Sequence, residues 1–167
     1  MRRLLLAVCL AAFVLAPSGA YAQLDLGGQL SWGDDADLGI GGRVVLGLPF
    51  ERVPLEVIGT FDYFFPDEGP AGADVTYWEL NANIVYRIPV QVPMLTPYAG
   101  TGINIAHASV DAEGVDVSDT EVGINLLGGA KYNAGPVTPF GELRFELDGG
   151  EQFVLSVGVL FNVGPGV

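Results

Sequence analysis

From Leu24 onward, apolar and polar residues alternate along most of the chain. Successive side chains of a strand point to opposite faces, so the alternation predicts strands. The clearest pair ends the chain. Leu143, Phe145, Leu147, Phe153, Leu155, Val157, Val159 and Phe161 share one phase, and Glu142, Arg144, Glu146, Ser156, Gly158 and Asn162 the other. Residues 148–151 turn the chain between these arms. The arms have about the 9–11 residues that a tilted strand needs to cross a bilayer.

The same opposition recurs upstream. Leu24, Leu26, Leu30 and Trp32 oppose Asp25, Gln29 and Ser31, and Ile40, Val44 and Leu46 oppose Arg43 and glycines. Leu55, Val57, Phe61 and Tyr63 oppose Glu56, Thr60 and Asp62. Trp78, Leu80, Ile84 and Tyr86 oppose Glu79, Asn81, Asn83 and Arg87. Ile103 and Ile105 oppose Gly100, Gly102 and Asn104; Val122, Ile124 and Leu126 oppose Gly123, Asn125 and Lys131. The predicted strands are 24–32, 38–48, 55–65, 75–88, 97–107, 121–132, 140–147 and 152–163, with 109–120 as the longest loop.

The fold class read from this pattern is all-β, an eight-stranded antiparallel up-and-down transmembrane β-barrel. A soluble periplasmic barrel carrying an apolar ligand shares the period but turns the apolar face inward. Volume opposes it: eight strands enclose room for side chains or one small ligand, and one face is crowded with Leu, Ile, Phe, Tyr and Trp. Charge opposes it too. Arg43, Arg87, Lys131 and Arg144 share the polar phase with Glu56, Asp62, Glu79, Glu142 and Glu146. Their mixed signs predict a lumen ion network that plugs the barrel. The apolar phase carries no charge, as lipid requires. Trp32, Tyr63, Phe65 and Trp78 near one rim, and Tyr86, Tyr132 and Phe161 near the other, read as interfacial girdles.

The first residues change the compartment. Arg2 and Arg3 precede an apolar run, Pro17, Ser18 and Gly19 break it, and Ala20-Tyr21-Ala22 forms a cleavage site. A cleaved Sec-type signal peptide over 1–22 is expected, leaving one domain, 23–167, in the bacterial outer membrane. The single cysteine, Cys9, lies in that leader. Without Arg2 and Arg3, five basic residues face twenty acidic ones, a balance of −15, which excludes nucleic acid as a partner.

The chain resembles the small outer-membrane β-barrel proteins of the OmpA/OmpX/opacity-protein type. The resemblance rests on 96–102 (Thr-Pro-Tyr-Ala-Gly-Thr-Gly), 138–144 (Thr-Pro-Phe-Gly-Glu-Leu-Arg) and the last strand. Ser156, Gly158, Phe161 and Val163 look like that family's C-terminal assembly signal, although residues 164–167 follow where the family often stops at an aromatic. The resemblance implies outer-membrane lipid, lipopolysaccharide and the barrel-assembly machinery as partners. The reading adopted is a monomeric, non-enzymatic structural or surface-interaction protein, with no cofactor and no metal.

One enzymatic alternative is open. His107-Ala108-Ser109 with Glu121 resembles the H-x-S and later Glu of outer-membrane lipid A 3-O-deacylases, although Val110 replaces the usual Asn. The resemblance implies His107 as base, Ser109 as nucleophile and Glu121 as orienting acid. The connections after the first, third, fifth and seventh strands concentrate acids, among them Asp34, Asp35, Asp37, Asp111, Asp116, Asp119 and Glu121, and hold no Lys or Arg. Solvated acid is preferred to Ca²⁺ or Mg²⁺ bridging toward lipid phosphates, because no EF-hand spacing is present.

Overall fold

The computed structural model describes residues 23–50, 52–66, 74–112, 115–147 and 152–163. The leader expected over 1–22 and the terminal residues 164–167 lie outside the described residues. Eight strands follow one another: β1 (Leu24–Gly33), β2 (Asp37–Gly47), β3 (Leu55–Phe64), β4 (Asp74–Arg87), β5 (Leu95–Ala112), β6 (Val115–Tyr132), β7 (Val137–Leu147) and β8 (Phe153–Asn162). Each is antiparallel to the next, and β1 pairs with β8, closing the barrel. Closure leaves no sheet edge within the barrel wall, which is what lets strands cross lipid.

The apolar phase faces outward on every strand. Leu30 is 53% exposed, Ile40 55%, Ile103 54%, Phe145 52% and Val157 52%. The polar phase is enclosed: Asp62, Glu79, Asn104 and Asn125 are 0% exposed. This arrangement corrects the soluble alternative, because an apolar-ligand carrier needs the opposite polarity. Strands of 10 or 11 residues form most of the wall, as at β1, β2, β3, β7 and β8.

Two expectations change. The loop expected over 109–120 is instead strand: β5 and β6 run 18 residues each and stay paired to Ala112↔Val115. Acid density made this stretch look like a loop. Val110, Val117, Ser109 and Ser118 nevertheless keep the two-residue period, and Val110↔Val117 and Ser109↔Ser118 are facing pairs. Asp111, Asp116, Asp119 and Glu121 therefore belong to strands. The interior, expected to be polar, also contains Val45, Ile58, Val85, Tyr98, Leu127, Phe140 and Leu160 as a buried apolar layer. A smaller cluster of Ala36, Phe64 and Val154, with Tyr77 packed on it, covers the end opposite the chain termini.

Inward glycines make room for these side chains. A Cβ at Gly158 meets the Phe140 ring at 2.8 Å and the Gly28 backbone carbonyl more closely still. Outward Gly42 and Gly141 have nothing within 4 Å of a Cβ. Gly158→Ala is therefore expected to cost about 1–3 kcal/mol, the scale of overpacking. Gly42→Ala should be neutral or stabilising by about 0.4–1 kcal/mol through the unfolded chain. Urea unfolding in lipid vesicles measures both, and equal midpoints for the two variants would contradict this interior packing.

Candidate functional site

Two places bring chemistry-bearing residues together: the lumen and the extended β5–β6 hairpin. In the lumen, strand phase turns each charged residue inward, and barrel curvature then brings distant strands within reach of one another. Near the termini, Lys131 Nζ donates to Glu56 Oε1 and Oε2 at 2.7 and 2.6 Å. Arg87 Nε lies 3.7 Å from Glu56, with its side chain 38% exposed; it is thus a mouth residue, unlike the fully enclosed members. In the apolar layer, Arg43 pairs closely with Glu142, and its guanidinium stands 4.1 Å from the Phe140 ring centroid. Tyr98 donates to Glu142 Oε2 at 2.8 Å. Neither Tyr98 nor Phe140 was assigned to a face from the sequence, although both share the phase of the inward Gly100 and Glu142.

The densest cluster is centred on Arg144. Its Nε donates to Glu146 Oε1 at 2.7 Å and its Nη2 to Glu79 Oε2 at 2.5 Å, while Nη1 lies 3.8 Å from Asp62 Oδ2. Each carboxylate has further donors. Asp62 accepts from Gln29 at 2.7 Å and Ser31 at 2.9 Å. Glu79 accepts from Tyr77 at 2.9 Å and from Gln152. Glu146 accepts from Asn104 and Gln152, both at 3.1 Å. Sequence spacing pointed to the charges but missed Gln29, Asn104 and Gln152, since an amide among polar residues carries no charge signal. The arrangement fits a filled interior held by charge-assisted hydrogen bonds. Among the described residues, no three His, Cys, Asp or Glu side chains are placed to hold a metal ion.

The assembly-signal residues divide by phase. Ser156 is buried with its hydroxyl 2.9 Å from that of Ser31, Gly158 packs under Phe140, and Phe161 is exposed outward. Val163 follows β8, and its N–H donates to the Leu24 carbonyl at 2.9 Å.

The hairpin holds the residues of the enzymatic alternative. His107 faces Thr120 across the pair, and its Nδ1 lies 2.8 Å from Thr120 Oγ1. Ser109 faces Ser118, and no Ser109–His107 hydrogen bond occurs among the described residues. Glu121 faces inward-pointing Ala106, so it belongs to the other face of the sheet. The structure thus brings His107 and Ser109 onto one face and sets Glu121 on the opposite one. A triad needs base and orienting acid in direct contact, which this register does not provide.

The hairpin also outgrows its neighbours. Among the described residues, β6 pairs with β7 from Ile124↔Leu147 toward the termini, whereas its pairing with β5 continues to Val115. On the other side, β4 accompanies β5 to Asp74↔Asp111, while β3 leaves β4 at Phe64↔Tyr77. A three-stranded sheet therefore stands above the closed wall.

Residues 4–150 match the model of a family described as outer membrane protein beta-barrel domain. Among solved structures, the chain is similar to Neisserial surface protein A, at 21% identity and a TM-score of 0.63, covering 85% of this chain and 97% of that one. The N-terminal β-barrel domain of OprF from Pseudomonas aeruginosa is 14% identical, with a TM-score of 0.68, covering 87% and 99%. Ail, the attachment invasion locus protein of Yersinia pestis, is 17% identical, with a TM-score of 0.57, covering 84% and 95%. No curated protein matches the sequence.

Proposed function

The chain belongs to the outer membrane protein beta-barrel domain family, and from that premise we propose that it is a non-enzymatic surface-interaction barrel whose working part is the protruding β5–β6 hairpin. The carrying observation is that, among the described residues, β6 residues 115–123 pair only with β5. The stretch presents strand backbone on its free side, with Val117 61% and Val122 64% exposed. Such an edge is normally covered or guarded by charge. Here Asp119 guards it in part, accepting from the Thr120 N–H at 2.8 Å. The hairpin end faces outward in this reading, because the longest excursion of the chain beyond the wall, β5 and β6 to Ala112↔Val115, is at that end, and outer-membrane barrels carry their longer excursions outward. The filled lumen supports a scaffold role over conduction. The names of two structural neighbours, a surface protein and an attachment protein, accord with it.

Replacing residues 108–119 by Asn-Gly, a two-residue turn that suits a hairpin, tests the reading. The shortened protein should still fold, migrating anomalously on a gel until boiled. Proteoliposomes carrying it should lose most of their retention on an extracellular-matrix layer relative to wild type. Equal retention removes the hairpin from the role. Fatty-acid release from lipopolysaccharide by the refolded wild type, lost in Ser109→Ala, would transfer the protein to the deacylase class.

A further inference from the structure

The outward face of β4, β5 and β6 changes chemistry in three successive rows of facing residues. Leu80, Ile105 and Val122 form an aliphatic row. Two residues farther along each strand come Trp78, His107 and Thr120, and two farther still Thr76, Ser109 and Ser118. Each step is about 6.6 Å along the strand. The surface therefore passes from hydrocarbon-like to hydroxyl-bearing within about 13 Å, the scale of a bilayer interface.

Along the outward phase the aromatic and hydroxyl rows carry no carboxylate, lysine or arginine, and acids follow only in the next facing row, Asp74, Asp111 and Asp116. On the inward phase Glu121 and Asp119 face Ala106 and Ala108. Acid register positions thus bound the hydroxyl rows on the side away from the aliphatic row, where an anionic group would meet repulsion. The outward rows continue the lipid-facing aliphatic column without a break, so what meets them is what lies directly above the acyl chains. Residues 105–122 contain no Lys or Arg, so a bare phosphate finds no counter-charge. A neutral, hydroxyl-rich group finds hydrogen-bonding partners and a ring to stack on. Trp78 supplies that ring, stacked on the His107 ring at 5.1 Å between centroids and tilted by 31°. The 2.8 Å contact between Nδ1 and Thr120 Oγ1 fixes the imidazole against it.

We infer that Trp78, His107 and Thr120, with Thr76, Ser109 and Ser118 beyond them, form a docking face for the neutral sugar headgroup of a glycolipid in the leaflet around the hairpin. The sugar's apolar face lies on Trp78, and its hydroxyls exchange hydrogen bonds with the serine and threonine side chains. The inference rests on the proposed outward placement of the hairpin. Its test uses symmetric vesicles without any matrix layer, so it can fail or succeed independently of surface binding.

The full-length barrel is refolded with Trp32→Phe, which leaves Trp78 as the sole tryptophan of the two in the sequence. Vesicles of phosphatidylcholine receive increasing fractions of galactosyl-diacylglycerol or, separately, of phosphatidylglycerol. A saturable change in Trp78 emission with the galactolipid, and none with phosphatidylglycerol, is expected. Thr120→Val and Ser109→Ala/Ser118→Ala should weaken the apparent association about two- to tenfold per hydroxyl lost, without changing the gel shift that reports folding. Thermal melting of the protein with both tryptophans, raised by galactolipid, provides a second reading should Trp32→Phe refold poorly. A response linear in galactolipid fraction, an equal response to phosphatidylglycerol, or hydroxyl-free variants that behave as wild type would overturn the inference, leaving an ordinary aromatic girdle.

Discussion

Arg144→Ala is expected to destabilise the barrel by about 3–5 kcal/mol, the cost of stranding buried charge. Arg144 is 1% exposed, so water cannot replace it. It faces Asp62, Glu79 and Glu146 from β3, β4 and β7, three carboxylates against one guanidinium. Neutral donors from Gln29, Ser31, Tyr77, Asn104 and Gln152 complete their shells. These donors disperse negative charge but do not cancel it. Removing the one cation leaves three carboxylates in mutual repulsion inside a low-dielectric wall. Arg144→Lys should recover only part of the loss, since a single ammonium cannot reproduce the fork that reaches Glu79 and Glu146 together. Adding Glu79→Gln and Glu146→Gln to Arg144→Ala should restore more stability than lysine does, because it removes the stranded charge. Urea midpoints of the four proteins in vesicles decide the matter. A loss below about 1 kcal/mol for Arg144→Ala would mean that the cluster behaves like a solvated surface pair.

The adjacent residue has the opposite requirement. Leu143→Arg is expected to cost about 2–4 kcal/mol, the penalty for arginine at the bilayer midplane. Leu143 lies near the middle of β7 (Val137–Leu147), 43% exposed and facing outward between Gly128 and Leu155. No outward acid is near enough to pair with a new guanidinium in these two neighbours. Arginine is thus a structural necessity at 144 and a defect at 143, although one peptide bond separates them. In detergent micelles, where the side chain reaches water easily, the penalty should shrink. In vesicles, the fraction folded at a given urea concentration should fall. Unchanged folding of Leu143→Arg in vesicles would mean that this face of β7 does not meet lipid.

The two variants show what is local in this protein. A strand residue that meets lipid and its neighbour that meets the lumen are told apart by phase alone. The alternation from Leu24 to Val163 therefore identified eight strands, the outward residues and the inward charges. The phase is robust because a one-residue slip would turn every charge toward hydrocarbon. The same logic placed Glu121 away from His107, because 107 continues the outward phase of Ile103 and Ile105 while 121 belongs to the inward phase of Gly123 and Asn125.

What the pattern could not determine is set by distance across the barrel. Arg144 meets Glu79 and Asp62 only because eight strands close into a narrow cylinder in one register, and closure is a property of all the strands together. Val45, Ile58, Val85 and Phe140 sit inside among the charges because inward space not taken by ion pairs must still be filled to solid density; glycines such as Gly158 mark where the large residues fit. The hairpin between Ser109 and Thr120 was hidden for a related reason. Its acids signalled solvent, and Asp119 is exposed. Yet backbone pairing with β4 and the partner arm holds it as strand, and hydrogen bonds between chains leave no mark in local composition. The amino-acid order thus determined which way each side chain points. Only the tertiary structure decided which side chains meet and how far the sheet rises beyond the wall, because both depend on register between segments that are distant in sequence.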